Sequence, residues 1–295
     1  MEARLIVRFA ISAVLAAFGQ GIGHVRPGNS SFSTPETVEI ANGSVRLKAY
    51  LWTPEGTESF PAVLFNHGSG GEDPAHTAGM PITEAAERLA PVFVKRGYAF
   101  LYVFRRGQGL SADQAPFMQD LLKQEEAAHG KGARQRLQDK TLFEEHLSDV
   151  LAALKYLKTV AGVDGERIAV VGHSYGGQLT LMAAGKDPTV RAAVSFAGAA
   201  NSWARSPSLR KQLLEAMGET HGAVMLVQAE NDYDTAPSRE LTAELERLHK
   251  PHILKIYPPV GTRKEDGHNF LYLAMPAWQD DVFQFLGQHL RKDDN

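Results

Sequence analysis

The sequence contains no cysteine, and its 31 lysine and arginine residues do not outnumber its 34 aspartate and glutamate residues. The lack of cysteine excludes a disulfide scaffold, a thiolate zinc site and a cysteine nucleophile. A formal net charge of −3 gives none of the basic excess that is typical of nucleic-acid binders. No apolar run reaches the roughly 18 residues that a membrane-spanning helix needs. We therefore expect no nucleic-acid partner and no stable membrane span in the mature chain.

The chain has 295 residues, of which 43% are hydrophobic, enough for a large core. At its N-terminus a short basic stretch precedes an apolar run at Phe9–Phe18, followed by small residues. This is the layout of a secretory signal peptide. We predict a signal peptide at 1–23, a mature chain that starts between Gly19 and Gly28, and a linker at 24–36. The protein would then be exported, periplasmic or secreted; the alternative is a cytoplasmic protein whose N-terminal segment is a helix.

Strands and helices alternate along most of the remaining chain. Two alternating apolar-polar segments flank Asn42-Gly43, which predicts an antiparallel hairpin. From Ala62 onward, short continuous apolar runs are separated by helical stretches, which predicts a mostly parallel sheet with helices on both faces. The polar stretch 112–138 is predicted to be a small helical insertion over the carboxyl edge of the sheet. We predict one α/β domain at 37–295.

The stretch Gly172–Gly177 contains the pattern Gly-x-Ser-x-Gly, with Ser174 at its centre. An apolar strand precedes it and a helix rich in small residues follows. A nucleophile elbow needs this strand–turn–helix context, and the helix N-terminus favours negative charge at the site. The alternative is a glycine-rich loop that binds phosphate.

A serine hydroxyl needs a general base, and the base needs an acid that orients it. In this architecture the acid and then the histidine follow the serine along the chain, each after a strand. His268 is the predicted base, although with Asp266 it could instead belong to a metal site. Asp232 is the favoured acid, with Asp234 as its competitor and Glu230 as a third choice.

Two backbone N–H groups are expected to bind the oxyanion of a tetrahedral intermediate. One belongs to Tyr175, directly after the nucleophile. We assign the other to Ser69, in the glycine-rich loop His67–Gly71, which could also be an ordinary tight turn. Arg105 and Arg106 either bind an acidic group of the substrate or anchor loops.

Together these motifs resemble the α/β-hydrolase superfamily, and most closely its dienelactone-hydrolase-like and prolyl-oligopeptidase-like branches. The resemblance is carried by His67–Gly71, by Arg-Arg-Gly-x-Gly-x-Ser at Arg105–Ser111, by the elbow, and by the late aspartate and histidine. It implies a central mixed sheet of about eight strands and hydrolysis without a cofactor or metal. It also implies triad roles for Ser174, Asp232 and His268, with Ser69 and Tyr175 at the oxyanion hole.

The sequence departs from both branches. Dienelactone hydrolases proper use a cysteine nucleophile, whereas serine stands here. Prolyl-oligopeptidase-type enzymes usually carry a large N-terminal propeller, whereas only a few tens of residues precede the first core strand here. We therefore expect a serine hydrolase that cleaves esters of a small or medium acyl group, its partner being a small-molecule ester. The alternatives are a peptidase acting on short peptides and a non-catalytic binding protein on the same scaffold.

Overall fold

A single eight-stranded sheet forms the centre of the computed structural model, which describes residues 34–56, 59–70 and 81–292. The predicted signal peptide and nearly all of the predicted linker lie outside these residues. The spatial order is β1-β2-β4-β3-β5-β6-β7-β8. The strands are β1 (Glu36–Asn42), β2 (Val45–Trp52), β3 (Phe60–Asn66), β4 (Ala99–Val103), β5 (Val163–His173), β6 (Val190–Phe196), β7 (Ala223–Ala229) and β8 (His252–Tyr257).

The pairing is parallel from β4 to β8, whereas β1 and β2 are antiparallel to their neighbours. The prediction of a mostly parallel sheet of about eight strands with N-terminal antiparallel strands is therefore confirmed. The hairpin turns at Asn42-Gly43, where Gly43 has a φ of 60°. Glycine reaches this left-handed conformation without the steric cost of a Cβ atom.

Helices cover both faces of the sheet. They are α1 (Ile82–Val94), α2 (Met118–His129), α3 (Lys131–Lys140), α4 (Leu147–Leu157), α5 (Tyr175–Lys186), α6 (Pro207–Glu219), α7 (Ala236–Arg247), α8 (Lys264–His268), α9 (Phe270–Leu273) and α10 (Met275–His289). None of the helices in the described ranges is both long and apolar enough to cross a membrane.

Alternate strand residues enter two separate cores, because successive side chains of a strand point to opposite faces. Leu64 and Val170 pack into the core shared with α4 and α5. Phe65 and Val171, one residue further along each strand, pack into the core shared with α1 and α10. Continuous apolar strands are thus explained by burial on both faces.

Two segments differ from the sequence-based expectation. Residues 207–219 were not predicted to be helical, yet α6 covers them, and its buried residues Leu209, Leu213 and Met217 follow helical spacing. The apolar spacing of Leu147, Val150 and Leu154 predicts one amphipathic helix over 141–159. In the structure, Thr141–His146 instead form a π-helical segment between α3 and α4. Within the predicted insertion, the structure contains α2 and most of α3.

Candidate active site

Ser174 lies in a sharp turn between β5 and α5, with φ 55° and ψ −116°. A side chain at this left-handed φ is strained, which is typical of functional turns. The flanking glycines are required by close backbone contacts: a Cβ on Gly172 would overlap the carbonyl of Gly176, and a Cβ on Gly176 would overlap the carbonyl of Asn66. The elbow is held in place by the Ser174 N–H, which donates to the carbonyl of Phe196 at 2.8 Å.

His268 joins Ser174 to Asp232. Its Nε2 lies 2.8 Å from Oγ of Ser174, and its Nδ1 lies 2.8 Å from Oδ1 of Asp232. Both His268 and Asp232 are buried. Because the carboxylate can only accept, the proton on Nδ1 is donated to Asp232, and Nε2 is left to accept from the serine hydroxyl. The structure thus brings together three residues that lie 58 and 36 positions apart in the sequence.

The three acidic candidates in the loop after β7 occupy different environments. Asp232 also accepts from the Tyr233 N–H at 2.7 Å and from Nε2 of Gln228 at 2.8 Å. Asp234 faces the other way and accepts from the Ala236 N–H at 2.8 Å, at the start of α7. Glu230 is exposed. Only Asp232 of these three contacts His268.

Asp266 does not contact His268 as a metal-site partner would. It binds Arg263 at 2.7 Å instead, and this guanidinium lowers the pKa of Asp266 to about 2. Within the described residues there is no group of three His, Cys, Asp or Glu side chains placed to hold a metal ion.

His173 is a second histidine at the site, and the sequence-based reasoning gave it no role. Its Nε2–H donates to the backbone carbonyl of His268 at 2.8 Å. Burial lowers the pKa of His173 to about 3, so the ring is neutral. Its ring also packs edge-on against Tyr272. The signal in the sequence was its position directly before Ser174, at the end of the strand that leads into the predicted elbow.

The two predicted oxyanion donors line the same cavity as Ser174. Tyr175 is the first residue of α5, so its N–H has no partner within the helix. The Ser69 N–H has no hydrogen-bond partner among the described residues. Gly68 is close to Ser174, since a Cβ added there would lie 3.7 Å from Cβ of Ser174. Gly71, the last residue of the predicted loop, lies outside the described residues.

Arg105 and Arg106 both anchor loops in this structure. Arg106 forms an ion pair with buried Asp149 at 2.6 Å, and Asp149 also accepts from the side-chain amide of Asn42. Arg105 is fully buried and donates to the backbone carbonyls of His67 and Gly68. Neither arginine lines the cavity at Ser174.

A cavity of about 640 Å³ opens beside Ser174, between α2, α3 and the segment 201–206. Among the described residues, its apolar lining is limited to Met118, Leu122 and the ring of Tyr175, and most of the other lining residues carry amides, hydroxyls or charges. The charged residues of this described lining are Lys131, Arg134, Arg205 and Glu126. Arg134 is paired with Glu126 at 3.1 Å, so the charge of this described lining is net positive. The sequence-based reasoning did not identify these cations.

Comparison with known proteins places the chain in a family. The family model described as "Dienelactone hydrolase family" matches residues 47–289. The chain is 27% identical over 255 residues to a Bradyrhizobium protein named "Probable 2-oxo-3-(5-oxofuran-2-ylidene)propanoate lactonase", across 84% of this chain and 92% of that protein. It is 28% identical over 167 residues to the "Quorum-quenching protein AidA" of Acinetobacter baumannii, across 57% of this chain and only 45% of AidA.

Solved structures show the same fold at lower identity. An acylaminoacyl peptidase in complex with Z-Gly-Gly-Phe-chloromethyl ketone matches with a TM-score of 0.62 and 19% identity, over 88% of this chain and 42% of that one. A dienelactone hydrolase from Anabaena variabilis matches with a TM-score of 0.57 and 21% identity, over 88% of this chain and 99% of that one. The predicted resemblance is confirmed: the chain has the α/β-hydrolase fold and belongs to the dienelactone hydrolase family.

Proposed function

We propose that this protein is a serine hydrolase of carboxylic ester or lactone bonds, with Ser174 as nucleophile, His268 as general base and Asp232 as the orienting acid. One observation carries the proposal: the continuous hydrogen-bonded chain from Asp232 through His268 to Oγ of Ser174, each link 2.8 Å long. Family membership supports hydrolysis of ester or lactone bonds as the reaction class.

The reaction follows from this geometry. As Oγ of Ser174 attacks the carbonyl carbon, Nε2 of His268 takes the hydroxyl proton, and Asp232 stabilises the imidazolium that forms. The N–H groups of Ser69 and Tyr175 donate to the oxyanion. His268 then returns the proton to the leaving alcohol, and an acyl-enzyme remains. When the substrate is a lactone, the alcohol stays attached to the acyl group, so the ring opens on the enzyme. Water then attacks by the reverse sequence of proton transfers.

The cavity favours a small polar substrate that carries a negative charge. Lys131 and Arg205 add positive charge to the lining, whereas Arg134 is paired with Glu126. A carboxylate near these side chains would gain charge-assisted hydrogen bonds. Within the part of the chain that the structure describes, the few apolar lining residues offer no long surface for an extended acyl chain. The name of the Bradyrhizobium relative describes a lactonase acting on a propanoate, which is a carboxylate of this class.

The test compares two p-nitrophenyl esters of one dicarboxylic acid, the hydrogen adipate, whose carboxylate is too far along the chain to attack its own ester readily, and its uncharged methyl ester. We expect wild-type protein to hydrolyse both, with a lower KM for the anionic ester. Ser174→Ala should lower kcat by about a million-fold, because the nucleophile acts as a unit with its base. Arg205→Gln should raise KM for the anionic ester and leave KM for the methyl ester unchanged.

Wild-type turnover that persists in Ser174→Ala would contradict the proposal. An aminoacyl p-nitroanilide provides the comparison with the peptidase alternative. Amide turnover as fast as ester turnover, with dependence on a free amino group, would favour peptidase action instead. A folded wild type without turnover of any of these substrates would favour the binding-protein alternative.

A further inference from the structure

Arg105 is a buried cation whose hydrogen bonds all go to neutral groups. Its side chain is fully buried. Nη1 donates to the carbonyl of His67 at 2.9 Å, and Nη2 donates to the carbonyl of Gly68 at 2.7 Å and to Oε1 of Gln108 at 3.1 Å. The nearby carboxylate, Asp149, is bound by Arg106 instead. Removing an unpaired guanidinium from water opposes folding, so its hydrogen bonds to this loop are the compensation.

The hydrogen bond from Arg105 to the Gly68 carbonyl also sets the direction in which the Ser69 N–H points. In a planar trans peptide the C=O and the following N–H point in opposite directions. The carbonyl of Gly68 and the N–H of Ser69 belong to one peptide unit. Arg105 holds that carbonyl toward the buried interior, so the Ser69 N–H is turned away from the interior, toward the cavity that Ser69 lines together with Ser174.

His67 lies beside the same peptide unit. Its Nδ1 is 2.7 Å from the carbonyl of Gly68 and 3.1 Å from Nη2 of Arg105. Burial, together with the charge of Arg105, lowers the pKa of His67 well below its usual value, so the ring is neutral and carries one proton. A proton on Nδ1 is donated to the Gly68 carbonyl, whereas a proton on Nε2 leaves Nδ1 to accept from Arg105. In both tautomers the Gly68 carbonyl accepts from Arg105. Burial also lowers the pKa of Arg105 to about 10, which leaves the guanidinium charged at neutral pH.

The same guanidinium lies near the second donor. It is 5.3 Å from the ring centre of Tyr175, within range of a cation–π interaction. The hydroxyl of Tyr175 is in turn 3.0 Å from Nδ1 of His146, on the π-helical segment. One buried cation thus contacts the Gly68 carbonyl, which shares a peptide unit with the Ser69 N–H, and the ring of Tyr175.

We infer that Arg105 is a positioning residue that orients the backbone donors of the oxyanion hole, rather than a ligand for the substrate. Its terminal nitrogens are occupied by protein acceptors, and it does not line the cavity. The inference rests on the proposed hydrolase function, because an oxyanion forms only if Ser174 attacks a carbonyl.

The test compares an ester with the matching thionoester, in which sulfur replaces the carbonyl oxygen. Because the thiolate that forms accepts hydrogen bonds poorly, thionoester turnover depends little on the oxyanion donors. Arg105→Lys keeps the charge but loses the fork that binds two carbonyls at once. We expect it to lower kcat for the ester by about tenfold to a hundredfold, less than the full loss of one oxyanion donor. KM should change little, and the ratio of ester to thionoester turnover should fall.

Arg106→Lys is the matched control, since it alters the neighbouring ion pair with Asp149 and should leave the ratio unchanged. Gln108→Leu removes one acceptor of Arg105 while the cation stays in place. It should lower the ratio in the same direction but less, and it provides the measurement if Arg105→Lys does not fold. Thermal unfolding of each variant shows whether a change in turnover reflects loss of the folded protein or a changed orientation of the backbone oxyanion donors.

The outcomes distinguish this inference from the proposed function. Turnover that depends on Ser174, with an unchanged ratio in a folded Arg105→Lys or Gln108→Leu variant, would overturn the role of Arg105 alone. An equal fall of the ratio in Arg106→Lys would also overturn it. Wild-type turnover that does not depend on Ser174 would overturn the proposed function and this inference with it.

Discussion

Replacing Asp232 by asparagine tests how the carboxylate supports His268. Oδ1 of Asp232 is 2.8 Å from Nδ1 of His268, so the two charges would be separated by about 4 Å when the imidazole is protonated. At that separation and an effective dielectric constant of about 20, Coulomb's law gives about 4 kcal/mol of stabilisation for the imidazolium. Because each 1.36 kcal/mol corresponds to a factor of ten in rate, we expect kcat to fall by about a thousandfold.

The hydrogen bonds around Asp232 determine how far kcat should fall in the Asp232→Asn variant. Oδ2 accepts from Gln228, so the new amide nitrogen would face another donor if it took that position. If the nitrogen instead faced His268, the imidazole would change tautomer and Nε2 could no longer accept the serine proton. The fall would then approach about ten-thousandfold.

The matched control is Asp234→Asn, two residues away. Its carboxylate accepts from the Ala236 N–H, and an asparagine oxygen can do the same. We expect kcat of Asp234→Asn to stay within about twofold of wild type, since an asparagine is as good an acceptor at a helix start. Stopped-flow turnover of p-nitrophenyl acetate, normalised to titrated active sites, measures both variants. An Asp232→Asn enzyme within threefold of wild type would refute the reasoning, as would a larger loss in Asp234→Asn.

Three further predictions concern stability and the oxyanion loop. Burial lowers the pKa of His67, His146 and His173 below 6.5, so below that pH the unfolded chain takes up protons that the folded chain cannot hold. Each of these histidines should therefore lower the free energy of unfolding by about 1.4 kcal/mol per pH unit as pH falls below 6.5. Urea unfolding from pH 7 to 4.5 measures this loss, and a flat profile would contradict it. Gly176→Ala should destabilise the fold by about 1–3 kcal/mol or more, because its new Cβ would overlap backbone carbonyls. Gly218→Ala on α6 has open space around the new Cβ and should be neutral or stabilising by up to about 1 kcal/mol. Equal Tm shifts of the two variants would argue against the close packing around Ser174. Ser69→Ala should keep kcat within about twofold, because the backbone N–H and not the hydroxyl is the proposed oxyanion donor; a larger loss would assign the role to the side chain.

The fold and the order of the site residues could be predicted because their signals are local. Continuous apolar strands, helical spacing and a strand–turn–helix around Ser174 are visible within windows of ten to twenty residues. The helix α6 also has a local signal, the helical spacing of Leu209, Leu213 and Met217, but the prediction did not use it. The π-helical segment is different, because its apolar residues continue the period of α4 and nothing local marks the change.

Other features depend on contacts between distant parts of the chain. The sequence favours Asp232 over Asp234 only by its position nearer the strand end, and it is the contact with His268, 36 residues later, that distinguishes the two. The cations of the cavity come from α3 and from the 3₁₀ segment Trp203–Arg205, which meet only in the folded protein. Whether Arg105 binds substrate or anchors a loop likewise depended on a contact with residues 37 and 38 positions away.

The most direct test of the central claim is covalent labelling with a fluorophosphonate, followed by peptide mapping by mass spectrometry. The proposed function predicts one phosphonate per chain, attached to the peptide that contains Ser174. Labelling should be absent in Ser174→Ala and strongly slowed in His268→Ala, because the base that takes the hydroxyl proton is missing. A label on another residue, or equal labelling of the Ser174→Ala protein, would contradict the assignment of Ser174 as the nucleophile.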